Sequence, residues 1–273
     1  MFESVLEQVH SLRPLVHCIT NYVTANDCAN LVLACGASPV MADEEGEVAE
    51  ITARSAGLCL NLGTLQQAKV PALLLAGKTA NACGIPAVLD PVGAGASTLR
   101  TQTALRLLCE IRFSVIRGNA SELRALALGS QNAGGVDAEL CDRVTEQTLP
   151  QAIRFAKTFA QKTGTVIAMT GAIDIVADAE RAFCIRNGHP MMAAVTGSGC
   201  QLSVLTASFV AANPEKPLLA AAAAVCAMGL AGQIAHTRLG PLDGSATYRN
   251  FIIDAIYNLT PEQLEGGANY EMR

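Results

Sequence analysis

Tryptophan is absent from the 273 residues, and aromatic residues make up only 4% of them. The core must therefore be built from Ala, Val, Leu and Ile. Charge is scarce as well, at 16% of residues against 51% hydrophobic. A disordered or solvating chain has the opposite balance, so that class is excluded. No Lys/Arg block occurs, the net charge is −5 and the pI is about 5.4. That is no footprint for nucleic acid, and none is expected as a partner. An anionic ligand must be met by local donors.

Other signatures are missing too. The chain has ten cysteines but no Cys-x-x-Cys pair, which argues against a disulfide framework and against structural zinc. Cys59, Cys109 and Cys226 sit in apolar surroundings and read as small hydrophobes in a reducing, cytoplasmic setting. The opening Met1-Phe2-Glu3-Ser4-Val5-Leu6-Glu7 is acidic and amphipathic and does not read as a secretory signal. The uncharged, Ala-rich stretch 218–232 falls short of the ~20 residues a bilayer needs, so it reads as a buried helix with no membrane. Gly77-Lys78-Thr79 imitates a phosphate loop, but the position five before Gly77 is Ala72 and the segment lies in a helical pattern, so Lys78 reads as a solvated helix residue. Gly93-Ala94-Gly95 continues as Ala96-Ser97-Thr98, without the third glycine of a dinucleotide fingerprint.

What is present is an alternation of short apolar runs with helical patterns. Strands are predicted at 15–19, 38–41, 57–62, 87–90, 114–117 and 165–170. Helices are predicted near 24–34, 47–54, 66–83, 98–110, 120–128 and 150–162. This order means βαβ crossovers and a mainly parallel sheet. The strands are continuously apolar, as when helices cover both faces. Segments 173–177 and 182–186 flank polar Asp178-Ala179-Glu180-Arg181 and read as an antiparallel hairpin. Three helical patterns follow, at 200–212, 218–235 and 246–259. No repeat, linker or charge run divides the chain, so one domain is expected over 1–273. The 129–142 stretch, with Gly134-Gly135, reads as a mobile surface loop.

Ligands of an open parallel sheet bind outside the carboxyl ends of its strands, and polar, glycine-rich segments gather there. Gly197-Ser198-Gly199 leads into a helix starting near Cys200. Such a turn reads either as plain helix initiation or as an anion site made of N–H groups and the helix dipole. Cys200 reads as a buried inert thiol or as one pushed toward thiolate by the helix start. Asn119 and Glu122, spaced i, i+3, form a helix cap or, with Asp90, a carboxylate pair that could hold Mg²⁺ through water. Arg117 ends an apolar strand, as an ion-pair partner or as a phosphate contact.

Six runs occur in order: Asn21-Tyr22-Val23-Thr24, Pro39-Val40-Met41, Asn61-Leu62-Gly63-Thr64, Asp90-Pro91-Val92-Gly93-Ala94, Arg117-Gly118-Asn119-x-x-Glu122 and Thr196-Gly197-Ser198-Gly199-Cys200. Together they resemble the hydroxyethylthiazole kinase family over nearly the whole chain. The resemblance implies an α/β, ribokinase-like fold, three-layer α/β/α with a mainly parallel central sheet. It implies ATP-dependent, Mg²⁺-dependent phosphorylation of 4-methyl-5-(2-hydroxyethyl)thiazole to its monophosphate in thiamine biosynthesis or salvage, by a homotrimer with active sites at subunit interfaces. By the same resemblance Gly197, Ser198 and Gly199 form the anion hole, and Cys200 faces the acceptor hydroxyl as catalytic residue. Arg117 and Thr170 contact ATP, Met41, Gly197 and Asn21 line the thiazole pocket, and Asp90 and Glu122 serve the metal. The wider ribokinase-like group usually carries Asp where this chain has Cys200. Another small-molecule kinase of that fold (for hydroxymethylpyrimidine, pyridoxal or a sugar) and a non-catalytic nucleotide-binding protein remain open alternatives.

Overall fold

The computed structural model describes residues 1–129 and 144–273; apart from Gly129, the 129–142 stretch read as a loop lies outside the described residues. Six parallel strands form the body of the sheet: β1 (Leu15–Ile19), β2 (Ser38–Val40), β3 (Gly57–Asn61), β4 (Ala87–Asp90), β5 (Val115–Asn119) and β6 (Val166–Thr170). Three antiparallel strands extend it: β7 (Asp174–Ala177), β8 (Ala182–Ile185) and β9 (Tyr270–Met272). The spatial order is β2-β1-β3-β4-β5-β6-β7-β8-β9.

Successive strand residues point to opposite faces, and both faces are apolar. Cys59, Val88, Val115 and Ala168 belong to one core, and Leu60, Leu89, Ile116 and Ile167 to the other. The first core is covered by α1 (Phe2–Leu12), α2 (Ala25–Ala34), α8 (Ser198–Ala212), α9 (Pro217–Thr237), α10 (Ser245–Tyr257) and α11 (Pro261–Gly267). The second is covered by α4 (Val70–Ala82), α5 (Thr98–Glu110), α6 (Ala120–Gly129) and α7 (Leu149–Thr163), with the short α3 (Val48–Ala53) beside them. The result is the expected three-layer α/β/α arrangement.

Several expectations need correction. The 66–83 pattern divides into a 3₁₀ turn, Gln67–Lys69, and α4. Cys109 is exposed, because it lies off the buried stripe of α5 at Thr103, Ala104 and Leu107. The uncharged stretch belongs to a helix of 21 residues with mean hydropathy 1.9, long enough to cross a bilayer. It is nonetheless an interior element, with 78% of its apolar window buried against the protein's own sheet and helices. Helices α1 and α11, the 3₁₀ turn Pro190–Ala194 and strand β9 were not anticipated. Three residues carry no periodicity, so β9 is held by tertiary contacts. Arg186 on the edge of β8 pairs with Glu271, and the rings of Phe2, Phe183 and Tyr270 pack with centroids 5.0–5.9 Å apart.

The carboxyl edge is set by two local devices. His17 of β1 is buried; its Nε2 is 2.8 Å from the Ala42 carbonyl, which can only accept. The neutral ring therefore presents Nδ1 to the Thr52 hydroxyl, also at 2.8 Å, and burial lowers the ring's pKa. This fixes the chain just past Met41. Between β6 and β7 the Gly171 N–H donates to Oδ1 of Asp174 at 2.9 Å.

Burial raises the Asp174 pKa to about 7, against the pull of that N–H and of Arg117. A carboxyl with a raised folded pKa binds more protons folded than unfolded. Its stabilising contribution therefore falls as pH climbs from the unfolded value toward 7 and is level above it. Asp174→Asn keeps an acceptor for Gly171 and cannot ionise. It is expected to gain about 1 kcal/mol at pH 8, read as a higher urea midpoint, with the gain shrinking toward pH 4. Identical midpoints at pH 8 would overturn this.

Candidate active site

Counting by two along each strand brings four polar residues to one place. Asn61, Asp90, Arg117 and Thr170 each follow, two positions on, a residue of the core beneath α8: Cys59, Val88, Val115 and Ala168. All four therefore face α8 at the carboxyl edge of the sheet. Asn61 is also the register partner of Asp90 in the parallel β3–β4 pair.

Helix α8 begins at Ser198, two residues earlier than expected, with Gly197 as its N-cap. The N–H groups of Ser198 and Gly199 thus belong to the open first turn. Gly197 has φ +78°, and a Cβ there would lie 2.1 Å from Cγ2 of Thr24. A Cβ on Gly199 would lie 2.6 Å from Nη1 of Arg117. The two glycines therefore have separate causes, one the chain path and one the guanidinium laid over the helix start.

Arg117 donates from Nη2 to Oγ1 of Thr170 at 2.8 Å, and its Nη1 stands 3.7 Å from Oδ2 of Asp90. The ion-pair reading of Arg117 holds, and the pair with Asp90 keeps the guanidinium beside Gly199 at the start of α8. Asp90 is 0% exposed. Its Oδ2 accepts from Asn61 Nδ2 and from Ser203 Oγ, each at 2.7 Å, while Oδ1 has no partner among the described residues. Burial pushes the Asp90 pKa up, and Arg117 with the two hydrogen bonds pulls it back.

Glu122 completes a reciprocal cap. Its own N–H donates to Oδ1 of Asn119 at 2.8 Å, and its Oε2 accepts from the Asn119 N–H at 2.9 Å. Its Oε1 accepts from Gly93 at 2.8 Å, tying the loop after β4 to α6. Among the described residues no group of three or more His, Cys, Asp or Glu could cage a metal ion. The donor set on offer is two hard carboxylates, with a spare lone pair on each Glu122 oxygen and the unpartnered Oδ1 of Asp90. Mg²⁺ suits such a set, because it keeps most of its waters and takes one or two carboxylates.

Cys200 is 9% exposed, and its sulfur accepts from Asn21 Nδ2 at 3.3 Å. The expectation that the helix start drives it toward thiolate is corrected. Burial and the nearby Asp90 carboxylate raise the thiol's pKa above its ordinary value, outweighing the hydrogen bonds from Asn61, Asn21 and Thr24. Asn21 is buried, with Oδ1 accepting from the Thr24 N–H at 3.2 Å and hydroxyl at 3.1 Å. Cys200, Arg117, Thr170, Asp90, Asn21 and Gly197–Gly199 thus form one contiguous set. Met41 follows β2, the strand beside β1, and is 37% exposed. Two cavities of about 720 and 660 Å³, around Val166 and Phe113, open at the opposite ends of the strands and hold none of these residues.

Asn61 and Ser203 had been given no role. The two-residue count that finds Asp90 also finds Asn61, and one helical turn from Gly199 reaches Ser203.

The chain is similar to known proteins over almost its whole length. The model of the hydroxyethylthiazole kinase family matches residues 6–262. A protein of Clostridium acetobutylicum named hydroxyethylthiazole kinase is 54% identical over 271 residues, covering 99% of each chain. The solved structure of a hydroxyethylthiazole kinase from Pyrococcus horikoshii superposes with a TM-score of 0.88 at 33% identity, over 100% of this chain and 98% of that one. A ribokinase-like superfamily protein of Enterococcus faecalis shares the fold, with a TM-score of 0.63 at 15% identity over 97% of this chain and 95% of that one. With the family model spanning most of the chain and a relative this similar end to end, the chain belongs to the hydroxyethylthiazole kinase family.

Proposed function

We propose that the chain, as one catalytic unit over 1–273, transfers the γ-phosphoryl group of ATP to the primary alcohol of 4-methyl-5-(2-hydroxyethyl)thiazole. The observation that carries this reading is the α8 start, where two open N–H groups, the Arg117 guanidinium and the Cys200 sulfur converge. Phosphoryl transfer has a loose transition state, so positioning and charge neutralisation supply most of the rate. The Ser198 and Gly199 N–H groups bind the transferring group. Arg117, steadied by Thr170 and Asp90, meets the phosphate charge. Mg²⁺, held by Glu122 and Asp90 through water, would neutralise the remaining phosphate oxygens when bound. The Cys200 sulfur orients the alcohol, whose proton is lost late, once bond formation has made it acidic. With its pKa raised, the sulfur is mostly the thiol at neutral pH and then only orients the alcohol, whose proton passes to an oxygen of the transferred phosphoryl group; the thiolate fraction, which grows with pH, accepts the proton itself. Gly197, Asn21 and Met41 are proposed to line the thiazole pocket. A cytoplasmic setting is proposed, in keeping with nine described cysteines that are all free.

The direct test is incubation with Mg-ATP and the thiazole alcohol. Mass spectrometry is expected to find the alcohol's monophosphate, and excess chelator is expected to abolish its formation. Equal turnover in chelator would remove the metal from the reading.

Cys200→Ala is expected to lower kcat about 100-fold with substrate binding largely kept, while Cys200→Asp stays active. The pH profiles separate the two roles of sulfur. A thiol acting as proton acceptor makes the parent's kcat rise with pH as the thiolate fraction grows; the Asp variant, already ionised, should be flat above about pH 6. A Cys200→Ala variant as fast as the parent would reduce the residue to packing.

The homotrimer is proposed on an exposed apolar patch beside the site: Tyr22 and Val23, 70% and 55% exposed, follow Asn21 directly, and Met41 lies on the same edge. Light scattering should report about three times the 28.4 kDa chain. A fully active monomer would refute a pocket shared between copies.

A further inference from the structure

We infer that Asn61, at the carboxyl end of β3, is a positioning residue that holds the Asn21 amide with an N–H aimed at the Cys200 sulfur. The inference rests on the proposed role of Cys200 at the acceptor alcohol.

The argument is one of hydrogen-bond direction. A side-chain amide has an accepting end and a donating end, and it can be turned end for end unless its partners forbid it. Here backbone groups forbid it twice. The Gly63 N–H can only donate, and it meets Oδ1 of Asn61 at 2.9 Å. Nδ2 of Asn61 is thereby turned to Asp90, at 2.7 Å from Oδ2. The Thr24 N–H can only donate, and it meets Oδ1 of Asn21. Nδ2 of Asn21 is thereby turned toward Asn61 and Cys200. Its two hydrogens have two acceptors, Oδ1 of Asn61 at 3.1 Å and Sγ of Cys200 at 3.3 Å.

Two consequences follow. The sulfur always meets a donor on its Asn21 side, so its own hydrogen points elsewhere and a lone pair is engaged by the protein. The aim of the Asn21 N–H depends on Asn61, because Thr24 alone secures the oxygen end and leaves the NH₂ end free to swing. Asn21 and Asn61 are both buried, at 4% exposure, so a lost partner is costly. The link also spans the place where the chain switches direction across the sheet: β1 has β2 on one side and β3 on the other.

The test is a double-mutant cycle on kcat for thiazole phosphorylation, with thermal melts as a check on folding. Asn61→Ala is expected to lower kcat about tenfold with the KM for ATP unchanged. In the Cys200→Ala background, and equally in an Asn21→Ala background, the same replacement is expected to cost less than about twofold, because the Asn21 N–H that it aims, or the sulfur that receives it, is gone. A tenfold loss kept beside Asn21→Ala would mean that Asn61 acts on the sulfur directly and would overturn the inference. A tenfold loss kept beside Cys200→Ala would overturn the inference and direct Asn61's effect to Asp90 and Arg117. A Cys200→Ala variant as fast as the parent would instead remove the proposed role of Cys200, and the inference with it. Should Asn61→Ala fail to fold, Asn61→Ser is carried through the same cycles: it keeps a hydroxyl on the Asp90 side and withdraws the amide oxygen that Asn21 meets. The same disappearance of its cost beside Cys200→Ala and beside Asn21→Ala is expected, and an undiminished cost would overturn the inference.

Discussion

A carboxylate sealed from water has to be satisfied by protein groups, and the site is organised around that demand at Asp90. Asn61 from β3, Ser203 from α8 and Arg117 from β5 converge on its Oδ2. Removing one partner of such a buried pair strands the other charge at a cost on the order of 3–5 kcal/mol. Each of the three then does something beyond the pairing. Arg117 lies over the glycine that opens α8, Ser203 pins that helix to β4, and Asn61 faces Asn21. The start of α8, the guanidinium and the sulfur thus share one electrostatic anchor.

The same anchor accounts for two residues that the sequence left with alternative roles. Arg117 is an ion-pair partner of Asp90, and that pairing holds its guanidinium at the start of α8, where the proposed phosphate contact lies. Glu122 is a cap for α6, yet it also fastens the loop after β4 through Gly93. A cap that reaches a neighbouring loop leaves a carboxylate at the carboxyl edge of the sheet, so the local demand of the helix and the proposed role in holding Mg²⁺ do not compete.

Much of this was legible in the residues. Continuously apolar strands between helical patterns imply a sheet covered on both faces, and β1 and β4 lie where the pattern puts them. Gly197-Ser198-Gly199-Cys200 marked the helix start to within two residues. What escaped notice depends on contacts distant in sequence. Strand β9 is too short for a periodicity and exists because β8 has a free edge with Arg186 and Phe183 upon it. The protonation of Cys200 was misjudged because a helix start suggests a thiolate, whereas burial beside a carboxylate is a property of the folded neighbourhood. Asn61 takes its place from its register with Asp90 across the β3–β4 pair, which its own strand's sequence does not carry.

The packing of Phe2 against Phe183 and Tyr270 has a consequence for the order in which the protein is made. Helix α1 is translated well before either aromatic partner, some 180 residues ahead of Phe183 and some 270 ahead of Tyr270. At ~5–20 residues per second the delay is on the order of tens of seconds. Throughout it the apolar face of α1, with Phe2, Val5, Leu6 and Val9, has no finished core to enter. The fold is therefore closed by its last strand and not by its first helix. A ribosome stalled before Tyr270 would hold a nearly complete sheet with an uncovered edge and a helix whose aromatic partner is still to come.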